Sequence, residues 1–390
     1  MVKFGSIASL KNAENQVIFI ARDLTRTRDV MKTHAATTDS KSLKQAYQMI
    51  GGSGEAAIEQ GLANAVWYKC AMNRATMKSL MQRQDASAIR DTLIWFGLIA
   101  ASGALAYASW GTLWAIPAFL LYGMFYAGPA DSRWHEAGHG TAFKSLQLNR
   151  ALYQIASFLV LRRPTQKRWS HARHHTDTLI VGRDPEIVAP RPPDLFGLLL
   201  NCLNLKNGSS ELKSVLQNAA GSIDAEDKTY VPESELKTMI LEARVWCVIY
   251  AFVIAACFAT ASLKPLMFIG LPAFYGAWLS LFFGLTQHSG LPENVLDHRL
   301  NCRTIYMNPV FRFLYWNMNY HTEHHMFPMV AFHSLPRLHE LIKDQCAAPY
   351  SSTLEAYREI IPAMLKQVKD PTYAVHRSVP GVEQSLMSAA

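Results

Sequence analysis

Nine of the fourteen histidines fall into a pattern that packing does not explain. His135 and His139 lie in HEAGH, His171, His174 and His175 in HARHH, and His321, His324 and His325 in HTEHH. His288, in TQHSG, ends a long apolar run. On an α-helix, residues i, i+3 and i+4 share a face, so each box can aim all its imidazoles the same way from one helix. Neutral imidazole is the commonest side-chain metal ligand. Eight box histidines plus His288 exceed the four ligands of a zinc site. They suit two metal ions, each with several imidazoles and an open position. Nitrogen-rich, sulfur-free ligation of this kind fits iron and oxygen chemistry. A lone histidine is more often a packed or hydrogen-bonded residue, and His34, His298 and His376 are read that way. His333 and His339, beyond the last box, are read as structural or as outer partners of ligands, not as ligands.

The elements that must carry these boxes are membrane-like. Half of the residues are hydrophobic and 17% are charged, below the usual quarter for soluble proteins. Two uncharged apolar segments, Ile94–Ser109 and Thr112–Ala127, flank a Trp110-Gly111 turn, and a second pair covers Arg244–Ser262 and Pro265–Gln287. Each is close to the ~20 residues that span a bilayer. The expected fold is therefore an all-α integral membrane protein with four transmembrane helices in two hairpins. A cytosolic helical cap would hold the metal site. Ala151–Leu161 and Leu195–Leu205 are too short to span and are expected at the interface or in the core. Basic residues precede the first span and follow the second, whereas the opposite turns hold one Lys between them. The positive-inside rule then places both termini and all nine histidines on the cytosolic side. Six scattered cysteines without a CxxC suit a reducing compartment, and no cleavable signal segment is recognised at the start.

Three regions follow: an N-terminal helical extension over 1–90, a membrane domain over 91–345, and a cytosolic tail over 346–390. Amphipathic helices are expected at Ser42–Ile50 and Glu55–Gln84, on either side of a glycine-rich break. The alternating charges at Arg22–Asp29 belong to the same extension.

The boxes HEAGH, HARHH and HTEHH, in that order, together with NMNYHTEHHMFPMVAFHSLPRLHE, resemble the membrane fatty acid desaturase and hydroxylase superfamily over about residues 90–345. The resemblance implies four spans, a cytosolic cap and two irons held by the box histidines, with His288 as an additional ligand. It also implies O2 as co-substrate and electrons from a separate protein: a ferredoxin, rubredoxin or Rieske-type carrier with its reductase, or a cytochrome b5-like one. The sequence carries no CxxC segment to supply them internally. The expected reaction is oxidation of an unactivated C–H bond in a hydrophobic substrate. Fatty acyl desaturation is favoured, with hydroxylation of an alkyl, carotenoid or small-molecule substrate as the alternative. The expected partners are a lipid bilayer, the donor and the substrate, with no nucleic acid. The polar section from Lys206 to Thr238 has no assigned role.

Metal-bound histidine usually donates its other nitrogen to a carboxylate or carbonyl, and Asp177, Asp184 and Glu186 are the candidate acceptors. Glu136 and Glu323 lie inside boxes, off the ligand face. HEAGH also satisfies HExxH, with Glu136 as the base of a zinc peptidase, but that reading leaves both HxxHH boxes unused. The cluster Arg162, Arg163, Lys167, Arg168 and Arg173 offers a docking surface for an acidic donor or contacts with anionic lipid.

Overall fold

The computed structural model describes residue 43 and residues 45–382; Arg22–Asp29 and His34 lie outside them. The described part is all-helical apart from the isolated bridges Thr304–Tyr320 and Ile305–Tyr350. Among the described residues, three helical stretches are long and apolar enough to cross a membrane: Arg74–Ala108, Glu233–Ala259 and Lys264–His288.

The N-terminal region departs from its periodicity. In place of one helix over Glu55–Gln84 there are two short ones, α1 (Gly52–Glu59) and α2 (Arg74–Leu80). Gly61 and Asn64 adopt positive φ and stop α1. The next residues are drawn out along the cap, where Tyr68 N–H donates to the Leu296 carbonyl and Ala71 N–H to Gln345 Oε1. These tertiary bonds outweigh local helix propensity. Within the expected Ser42–Ile50 helix, residues 46–50 form turns and bends, and the Tyr47 hydroxyl bonds both Glu293 oxygens at 3.0 Å.

The apolar pair becomes α3 (Asp85–Ala108) and α4 (Ala115–Gly138), joined through Gly111 at φ +84°. Helix α4 does not stop at Ala127 but runs on until it carries His135. Its apolar stretch is interrupted by Pro117, Gly123, Gly128 and Pro129, and it is not among the three membrane-length stretches. Helix α5 (Leu146–Leu159) folds back on α4, with Leu152, Tyr153 and Ala156 buried. The Tyr153 hydroxyl donates to the Pro164 carbonyl at 2.7 Å, where α6 (Pro164–Thr176) begins.

The Lys206–Thr238 section braces α6. Leu195–Leu205 breaks at Asn204, in the left-handed region, into α7 (Leu195–Asn201) and α8 (Leu205–Ala219). Glu211 on α8 and Asp227 beyond it both pair with buried Arg163, at 3.0 and 2.6 Å. Helix α9 (Leu236–Ala259) starts eight residues before the expected span, and its Glu242 accepts from Thr165 N–H in the first turn of α6.

The fourth apolar segment is broken into α10 (Lys264–Phe268), α11 (Pro272–Tyr275) and α12 (Trp278–His288). The breaks follow Gly270, at φ +103°, and Gly276. Then come α13 (His298–Asn301), α14 (Pro309–Leu314), α15 (His321–Met326), α16 (Leu335–Ile342) and α17 (Thr353–Lys369). The last lies against α12, with Tyr357 stacked on Phe282.

Arg133 sets the third box against the first. It is fully buried on α4 and donates to the Leu314 and Phe313 carbonyls at 2.6 and 3.0 Å. The rings of Trp95, Phe313 and Trp316 surround its guanidinium. The end of α14, and with it the chain entering α15, is thereby tied to the turn of α4 just before His135.

Candidate metal centre

The nine histidines converge, but they do not sort by box. His135, His139, His171, His175 and His324 form one set; His174, His288, His321 and His325 form another. Within each set the ligand atoms lie within 4.8 Å of one another. In the set of five, His135 and His324 Nε2 are 2.6 Å apart, and His171 Nε2 is 3.1 Å from both His139 and His175 Nε2. In the set of four, His321 Nε2 is 3.0 Å from both His288 and His325 Nε2.

The outer nitrogens show why these contacts call for cations. His171 Nδ1–H donates to Glu186 at 2.9 Å, His174 Nδ1–H to Asp184 at 2.8 Å, and His288 Nδ1–H to the Asn301 carbonyl at 2.8 Å. His325 Nδ1 is 3.1 Å from the Thr178 hydroxyl, which already donates to the His174 carbonyl and so accepts here. With the proton on Nδ1, each of these rings turns a bare Nε2 lone pair inward. One ring proton cannot satisfy these contacts: the single lone pair of His171 Nε2 faces two imidazole nitrogens at 3.1 Å, and a neutral His321 cannot donate to both His288 and His325, whereas a cation among them satisfies every lone pair. Imidazole–metal bonds of ~2.1 Å at right angles place two nitrogens ~3.0 Å apart. The donor set therefore fits two metal ions. Exchanging a carboxylate for an amide behind a ligand typically costs ~10–100-fold in metal affinity. Glu186→Gln is expected to weaken one of the two sites by that factor in a competitive chelator titration, with the other site unchanged.

Of the three candidate acceptors, Asp184 and Glu186 meet histidines. Asp184 also receives Leu179 N–H and Glu186 N–H, and Glu186 receives the Ser170 hydroxyl. Asp177 does not meet one: it is buried and bonds Arg173 and Arg183. Glu136 and Glu323 are both fully buried. Glu136 accepts from Phe332 N–H, and a zinc site of His135 and His139 alone would leave the other seven histidines of the two sets without a role. Glu323 takes the Thr304 hydroxyl and His339 Nδ1. Most of the basic cluster has partners within the chain, while Arg168 is exposed. Arg162 pairs with Asp131, Arg163 is buried in its own ion pairs, Arg168 covers Tyr153 and Arg173 holds Asp177.

Burial, and then the neighbouring rings, hold His175, His321, His324 and His325 well below their ordinary value of 6.5. His174 moves the other way, because Asp184 outweighs its burial. For the four lowered groups the sign is simple. Below pH 6.5 the unfolded chain binds protons that the folded chain refuses, so folding loses stability as pH falls. The metal-free protein is expected to melt lower at pH 5.5 than at pH 7.5 in a thermal scan.

Beside both sets lies a cavity of about 550 Å³, within the usual range for ligand sites. His135, His171, His174, His288 and His321 reach its wall. Ala127, Leu161, Leu198, Ala277, Leu281 and Gly284 supply apolar wall, and Asn204, Lys206 and Asn207 supply polar wall.

Helical stretches of membrane length, and a cavity beside histidine sets that could hold metal ions, point to a membrane protein. The family model described as fatty acid desaturase matches residues 108–356, and the chain belongs to that family. It is accordingly an oxidoreductase of the membrane desaturase and hydroxylase type. A search of curated proteins finds no match.

Proposed function

We propose that the chain is a di-iron, O2-dependent oxidase of an unactivated C–H bond, and that its reaction is desaturation of a fatty acyl chain. The observation that carries this is the pair of all-nitrogen sets, five and four histidines, both of which reach the wall of one cavity. Such ligation without sulfur suits iron and oxygen chemistry. When bound, the irons would supply O2 activation and the oxidising power to remove hydrogen from carbon.

The protein's part is positional. Asp184 and Glu186 fix the protons of His174 and His171 on Nδ1 and keep the inner nitrogens free. Leu281, Gly284 and Ala277 give the substrate chain an apolar wall, and Asn204 and Lys206 suit a polar end. Helices α3, α4, α9 and the α10–α12 run would be the four spans, with the histidines and both termini on the cytosolic side by the positive-inside rule. Electrons would come from a separate carrier protein.

Reaction of iron-loaded protein with acyl substrates under labelled O2 tests the reading. The expected product is an alkene without label. A labelled alcohol would transfer the proposal to hydroxylation, and zinc as the resident metal would overturn it.

A further inference from the structure

We propose that electrons enter the metal centre through Trp67 and His298, from a small acidic one-electron carrier docked over Trp67. This rests on the reading of the site as an oxygen-activating iron centre and adds the place where its reductant acts.

Trp67 lies in the extended segment between α1 and α2. It is half-buried, and its indole N–H donates to the Thr176 carbonyl at 2.9 Å, with Val66, Lys69 and Thr176 exposed around it. The inner face of the indole lies flat on His298, with centroids 4.2 Å apart and planes at 5°. His298 is buried, and its ring centroid is 5.1 Å from that of His325, in the set of four. His325 in turn stacks on His175, in the set of five, at 4.4 Å. A line of touching rings therefore runs from the surface to both sets.

His298 is not well placed to be a ligand. It groups with Cys302 and His325 as a third candidate metal site. His325, however, has already committed Nδ1 to Thr178 and Nε2 to the His321 side. Neither nitrogen is left for a third ion. His298, whose side chain meets Asn301 and Cys302, remains a ring outside both sets, between a half-buried indole and His325. Tunnelling weakens steeply with each gap through space, and contacting aromatic rings close those gaps.

Charge selects the partner. Lys69, exposed two residues from Trp67, carries the free charge at this face, and behind it Arg173 and Arg183 share the one carboxylate of Asp177, which leaves that group net positive. The net positive rim attracts an acidic protein. Each passage moves one electron from a reduced [2Fe–2S] cluster to one ferric ion, leaving an oxidised cluster and a ferrous ion. No bond forms or breaks, and the indole and imidazole end unchanged. Two passages reduce both irons.

The test follows reduction of the ferric centre by stopped-flow absorbance in full-length, iron-loaded protein. One reductant is a plant-type [2Fe–2S] ferredoxin kept reduced by its NADPH-dependent reductase; the other is dithionite. Trp67→Leu is expected to slow the limiting ferredoxin-driven rate by about tenfold, and Lys69→Glu to raise the half-maximal ferredoxin concentration by about three- to tenfold. Trp67→Phe should recover most of the rate, and all three variants should keep two irons and the wild-type dithionite rate. A Trp67→Leu protein reduced by ferredoxin at the wild-type rate would overturn the proposal, as would one slowed equally with dithionite. An unchanged half-maximal concentration in Lys69→Glu would overturn the docking face. A wild-type protein that binds no iron would instead defeat the underlying reading of the site.

Discussion

Replacing His324 by alanine is expected to leave one metal ion per chain where the wild type holds two, and to abolish turnover. His324 is fully buried in α15, and its Nε2 is 2.6 Å from His135 Nε2 and 3.2 Å from His175 Nε2. It therefore joins the third box to the first and second. Alanine supplies no donor and leaves a buried hole, so a bound cation would lose charge transfer from one nitrogen without gaining a water path to replace it. Loss of an outer partner behind a ligand already costs ~10–100-fold, and loss of the ligand itself should exceed about 100-fold in affinity. The set of four contains no atom of His324 and should keep its ion. Elemental analysis of the purified variant, alongside O2 uptake, reads both effects. His333→Ala is the matched control: it removes a half-buried histidine outside both sets and should retain two ions. Two ions and normal turnover in His324→Ala would sink the assignment.

That sets and boxes do not coincide shows where the sequence stops being readable. Spacing at i, i+3, i+4 identifies histidines that share a helix face, and all nine come together. Neighbouring positions nevertheless differ by about 100° around a helix. His174 and His175 straddle the gap between the sets, as do His324 and His325, and only the packing of α6 against α15 decides which goes where. The acceptors show the same limit. Asp177, Asp184 and Glu186 all follow the second box, and Asp177, the nearest in sequence, is the one that meets no histidine. The turn after α6 directs the last two inward and leaves Asp177 to the arginines. His298 gave no signal, because no second histidine lies at helical spacing from it and its neighbour Trp67 comes from 231 positions earlier in the chain. Apolar length located the spanning material, but length does not record where a helix breaks. The fourth segment breaks after Gly270 and Gly276, while the second runs on through Pro129 to the first box.

Gly276→Ala is expected to be among the most destabilising single-methyl changes in the protein. Gly276 ends α11 and packs directly on Gly123 of α4, and a Cβ there would overlap the Gly123 carbonyl. The obstruction is backbone, so no rotamer change relieves it, and α11 must move away from α4. Overpacking typically costs ~1–3 kcal/mol, and this site should lie at the upper end, about 3 kcal/mol. The damage should reach the metals, because α12 follows directly and ends in His288, while α4 ends beside His135 and His139. Opening the contact pulls His288 away from His321, which it faces at 3.0 Å. A melting temperature lower by several degrees, together with preferential loss of the ion in the set of four, is the expected result. Gly97→Ala on α3 separates this from a general glycine effect: its Cβ would meet nothing within 4 Å, and alanine favours a helix by ~0.5–1 kcal/mol. If Gly276→Ala melts no lower than Gly97→Ala, close approach of α4 and α11 is not what holds His288 in register with the third box.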